Sequence, residues 1–99
     1  MKELDLLRSE LDAVDKGLEE GFARRMQIVG KIAEYKAAHA LPTLDAAREA
    51  EVLEKHTQNC PAELKPYMTY YFKVLMSLSR NYQELLAVER GSRKQSEES

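Results

Sequence analysis

A chain of 99 residues is enough for one domain. It is 43% apolar and 32% charged, and 15 basic residues against 17 acidic ones leave a formal charge of −2. That balance argues against general nucleic-acid binding, which needs a basic excess, and no apolar run approaches the ~20 residues of a membrane span. The lone Cys60 has no partner for an internal disulfide, and Met1-Lys2-Glu3-Leu4-Asp5 does not open an apolar leader. The expected setting is a reducing cytoplasm.

Strand signals are missing. There is no sustained alternation, no Asn-Gly or Asp-Gly turn, and little clustering of β-branched residues. Pro42, Pro61 and Pro66 divide the chain into a long first block, a short middle block and a long last block, so three helices are predicted. In the first block Leu4, Leu7, Leu11, Val14, Leu18, Phe22, Val29 and Ile32 recur at steps of three and four. They fall within about 80° on a helical wheel, so a helix is expected from about Leu4 to Ala38. Gly17, Gly21 and Gly30 each cost roughly 1 kcal/mol relative to Ala, which weakens the period without interrupting it.

Asp45 is the expected N-cap of a second helix from about Ala46 to Thr57, with Val52 and Leu53 inward. Asn59-Cys60-Pro61 reads as a turn and Pro66 as a first helical position. The third helix is expected to run to about Glu89, with Met68, Phe72, Leu75, Met76, Tyr82 and Leu86 inward and Gly91 as its stop. The domain then covers residues 1–90, and residues 91–99 read as a disordered polar tail. The fold class is all-α. Some 35 residues of first helix span roughly 50 Å, whereas a compact chain of this size is about 35 Å across. One short and one medium helix leave part of that stripe uncovered, which predicts an obligate dimer of intertwined long helices.

Polar residues interrupt the apolar stripes. Arg25 lies between Phe22 and Val29, and Lys36 continues the run 25, 29, 32, 36 within about 60° of arc. Ser79 and Gln83 stand four apart in line with Phe72, Leu75 and Leu86. Burying such groups is costly unless they are paired, so they pair with one another and the backbone or face a polar ligand. Arg25 and Lys36 are about 16 Å apart along the axis, close enough for two long side chains to hold one small ligand. Arg8, on the edge of the same face, is about 25 Å from Arg25. In an antiparallel dimer it would approach the partner's Arg25 instead. Asp45, Arg48 and Glu49 open the second helix, where either Arg48 or Glu49 can point inward and free N–H groups can bind an anion or a hydroxyl. A site lined by several cations predicts a small polyanion, best met by the planar arginine fork.

Together Arg8, Asp15, Leu18, Arg25, Lys36, Asp45-x-x-Arg48-Glu49, Phe72, Ser79 and Gln83 resemble the all-helical chorismate mutases, over about Leu4 to Leu86. The resemblance implies an intertwined homodimer with two active sites and the rearrangement of chorismate to prephenate in phenylalanine and tyrosine biosynthesis. It implies no cofactor, metal or nucleophile. Arg25 and the partner chain's copy of Arg8 would bind the two carboxylates. Lys36 would hold a carboxylate and the ether oxygen, and Gln83 would donate to that same oxygen. Glu49, with the backbone near Asp45, would take the ring hydroxyl. Arg48 would supply charge near the enolpyruvyl group, and Ser79 would contact a carboxylate. A neutral Gln83 predicts a rate that falls little between pH 6 and 8.

Two other readings stay open at this point. Isochorismate pyruvate lyase shares the fold and most of the cations, and Glu49 favours the mutase over it. A non-catalytic helical dimerisation module would carry apolar residues in place of Arg25, Lys36, Ser79 and Gln83. Arg25 alone could be a structural arginine on a buried carboxylate, and Arg48 with Glu49 a solvated charge pair. His39 and His56 have no partner at ligand spacing and read as surface residues, Cys60 reads as inert, and Tyr67, Tyr70, Tyr71 and Tyr82 read as core or interface.

Overall fold

A computed structural model describes the backbone of residues 1–98 and the side chains of residues 1–91. The chain folds into α1 (Lys2–Ala38), α2 (Ala46–Thr57), a short 3₁₀ turn (Ala62–Leu64) and α3 (Lys65–Glu98). No strand occurs among the described residues. No described helix is long and apolar enough to cross a membrane.

Each boundary has a local cause. Asp45 sits in extended conformation before α2, and its carboxylate accepts from the Arg48 N–H at 3.0 Å, filling one of the helix's orphan donors. Pro66 falls in the first turn of α3, where its missing N–H costs nothing. The end of α1 is a Schellman turn. The Leu41 N–H returns to the Lys36 carbonyl at 2.8 Å and the Ala40 N–H to that of Ala37 at 3.4 Å. Ala40 closes this turn with φ of 52°, the left-handed conformation that glycine adopts without strain. Relief of ~1–2 kcal/mol of left-handed strain outweighs the ~0.4–1 kcal/mol of chain entropy that glycine adds to the unfolded state. Ala40→Gly is therefore expected to raise stability by about 0.5–1 kcal/mol in urea unfolding. A loss of stability would mean that the turn carries no such strain.

The expected stop at Gly91 is corrected: α3 continues to Glu98. Gly91 keeps a negative φ, and a glycine inside a helix costs only about 1 kcal/mol, too little to end one by itself. Of the expected polar tail, the side chains of residues 92–99 and the whole of Ser99 lie outside the described residues.

Both other helices pack on α3. Val29 and Ala33 of α1 meet Leu75 and Met76 of α3 in a small core that also buries Thr57, Ser79 and Gln83. Thr57 is satisfied by its own helix, donating to the Leu53 carbonyl at 2.6 Å. Val52, Leu53, Met68, Phe72, Tyr82 and Leu86 are half-buried, and the His56 ring stacks on Phe72 with centroids 4.5 Å apart. Tyr67, Tyr70 and Tyr71 are exposed within the single chain.

The packing covers only the C-terminal third of α1. Every residue from Met1 to Arg24 is exposed, including Leu7, Leu11, Val14 and Leu18, each at least half accessible. The molecule is accordingly elongated, 63 Å along its longest axis. Its radius of gyration is 18.2 Å, against about 13 Å for a compact chain of this length.

Candidate active site

The three helices enclose a cavity of about 320 Å³, open on one side. Its floor and walls are apolar, from Ile28, Val29 and Ile32 of α1, Val52 of α2 and Met76 of α3. Its polar groups converge from all three helices and from the α1–α2 connection: Arg25, Lys36, Thr43, Asp45, Arg48, Glu49, Ser79, Arg80 and Gln83. Seven of the eight expected site residues are thus brought together. Arg8 is the exception. It lies on the exposed part of α1, about 25 Å along the axis from Arg25.

Arg25 is held from α3. Its Nη1 donates to the Ser79 hydroxyl and, at 3.4 Å, to the Leu75 carbonyl. Ser79 passes its own proton to the Leu75 carbonyl at 2.8 Å, so its lone pairs are free to accept from Arg25. Pairing with the backbone and facing a cavity therefore occur together at this residue.

Lys36 stands in the last turn of α1, and its Nζ donates to the Thr43 carbonyl at 2.7 Å. The Schellman turn makes this contact, because it folds the chain back so that residue 43 returns beside residue 36. The rest of the ammonium's donors are available to a ligand.

Gln83 is 8% exposed, and its Oε1 is buried without a hydrogen-bond partner among the described residues. An unpaired buried amide oxygen is expensive unless a donor from a ligand or water completes it.

The sequence leaves open which of Arg48 and Glu49 turns inward, and the structure answers it. Glu49 is half-buried and reaches α3, where Arg80 Nη1 donates to both its oxygens at 2.5 Å. Arg48 edges the cavity while pairing with Glu51 at 2.7 Å, both side chains largely exposed. Asp45 edges the cavity as well, with one oxygen committed to the α2 cap.

Arg80 and Thr43 are the site residues that sequence reasoning missed. Arg80 had a signal, four after Met76 and three before Gln83. Thr43 contributes a carbonyl, which no side-chain pattern reveals.

The cavity thus carries four cationic side chains against two carboxylates, an excess of positive charge that suits a small dianion. Among the described residues no three His, Cys, Asp or Glu side chains converge as metal ligands.

Fold and cavity define an all-helical protein with a cation-lined pocket. The family described as chorismate mutase type II matches residues 7–84, most of the chain, and the chain belongs to that family. Two curated relatives resemble parts of it. The T-protein of Enterobacter agglomerans is 35% identical over 60 residues, 61% of this chain and 16% of that protein. The T-protein of Haemophilus influenzae is 37% identical over 54 residues, 54% of this chain and 14% of that protein. The chain spans less than a fifth of the length of either relative. No solved structure gives a significant match.

Proposed function

We propose that the protein is a chorismate mutase, rearranging chorismate to prephenate in a dimer with two shared sites. The observation that carries this reading is the convergence of Arg25, Lys36 and the buried Gln83 side chain on one cavity with excess positive charge. The reaction has one substrate and needs no nucleophile. An acceleration of ~10⁶ requires about 8 kcal/mol. Part comes from clamping a flexible dianion so that its side chain lies over its ring. The rest comes from donors aimed at the ether oxygen, where negative charge grows as the C–O bond breaks. Lys36 and Gln83 are those donors. Arg25, steadied by Ser79, takes a carboxylate through its remaining N–H groups. Glu49 accepts the ring hydroxyl, with the backbone near Asp45 beside it, and Arg48 adds charge at the cavity rim.

The second chain is supported by the bare stripe of α1. Burying a leucine side chain stabilises by about 1.5–3 kcal/mol, and Leu7, Leu11, Val14 and Leu18 lie half exposed beyond the reach of α3. An antiparallel copy covers them and brings its Arg8 to the open side of the cavity, where it binds the second carboxylate. A mixed dimer tests this arrangement, with Arg8→Ala in one chain and Arg25→Ala in the other. Both changes then fall in one site, and about half the wild-type activity is expected to survive. Complete loss in a dimer of normal stability would show that Arg8 acts elsewhere.

A further inference from the structure

Arg80 faces the cavity, yet the proposed reaction leaves it without a role. Of the two ion pairs among the described residues, Arg48–Glu51 lies within α2 and is exposed, while Arg80–Glu49 crosses from α3 to α2. The side chains of Arg80 and Glu49 are only 32% and 26% exposed, so water screens this pair poorly. A single nitrogen, Nη1, bridges both carboxylate oxygens. That arrangement fixes the plane of the carboxylate while leaving a lone pair on each oxygen for another donor.

Glu49 needs such a partner. It is a carboxylate in the wall of a cavity whose other charges prepare it for a dianion. Unpaired, it would repel the ligand it is meant to orient. The nearest cation in sequence, Arg48, is engaged by Glu51.

We propose that Arg80 is a positioning residue, holding the Glu49 carboxylate in one orientation with its charge offset so that it accepts a hydroxyl of a dianionic ligand instead of repelling that ligand. The proposal rests on the mutase reading of the site. Repulsion of this kind acts on bound substrate and transition state alike, so its release falls on KM more than on kcat.

Initial rates with chorismate, measured on the full chain, test it. Arg80→Ala is expected to raise KM about tenfold and to lower kcat less than about threefold. Arg80→Lys, which keeps the charge, recovers most of that loss. In a Glu49→Gln background, Arg80→Ala is expected to change kcat/KM less than about threefold, because the charge to be offset is gone. Circular dichroism and melting establish that each variant is folded; if Arg80→Ala is not, Arg80→Gln takes its place. Equal losses in both backgrounds would mean that Arg80 acts on the ligand directly and would overturn the proposal, as would an unchanged KM. A wild-type chain that leaves chorismate intact sinks the mutase reading and this proposal with it, whereas an active wild type with an indifferent Arg80 sinks the proposal alone.

Discussion

Replacing Arg25 with alanine is expected to lower kcat/KM for chorismate by about 10³-fold or more, while the protein keeps its helical content and its association state. The size follows from what the side chain does. It is a guanidinium brought into a part-buried cavity and steadied by Ser79 and the Leu75 carbonyl. A charged hydrogen bond of this kind contributes about 1.5–3 kcal/mol, and a bidentate clamp contributes more. The loss also misplaces the substrate for every other group, which costs rate as well as affinity. Alanine leaves Ser79 bonded to its own helix, so no buried hydroxyl is orphaned and the fold survives. Arg25→Lys is expected to recover little, since an ammonium cannot meet a carboxylate with two parallel N–H bonds. A folded Arg25→Ala protein with near-normal rates would remove the clamp from the account.

The second large effect belongs to Lys36 and Gln83, the pair proposed to meet the ether oxygen. Lys36→Ala is expected to cost about 10²–10³ in kcat, the usual loss for one preorganised donor at developing charge. The Thr43 carbonyl loses its partner at the same time, but it sits in a connection that water can reach, so the effect on stability is small. Gln83 completes the pair. Its amide donates at any ordinary pH, so the wild-type rate is expected to change little between pH 6 and 8. Gln83→Glu must be protonated to donate, so its kcat is expected to fall steadily as pH rises across that interval. A flat profile for Gln83→Glu, or a steep one for the wild type, would take Gln83 out of the bond-breaking step.

Local signals in the sequence were enough to place most of the framework. The long apolar period of α1 and the Asp45 cap each act within a few residues and appear where those residues put them, and α3 begins at Lys65, one residue before Pro66. Arg25, Lys36, Ser79 and Gln83 stand out because each breaks an apolar stripe, and they converge on one cavity. What the sequence left unread depends on distance or on backbone. Arg80 is 31 residues from Glu49, and its long side chain reaches around the edge of a helix face that Ser79 and Gln83 already account for. Thr43 enters only through its carbonyl, after the left-handed turn at Ala40 has reversed the chain. Gly91 looks like a stop in the sequence, but the backbone makes no reversal there and α3 runs through it. Arg8 is legible as a residue, but within the single chain it stays exposed and outside the cavity.

Whether the purified protein consumes chorismate, followed by ultraviolet absorbance with prephenate identified as product, decides whether it is a mutase. Isochorismate is run as a second substrate and Arg25→Ala as a control. Rapid formation of prephenate, abolished in the variant, is expected, with no pyruvate from isochorismate. Pyruvate release from isochorismate with chorismate untouched, or no reaction with either substrate from a folded dimer, would contradict it.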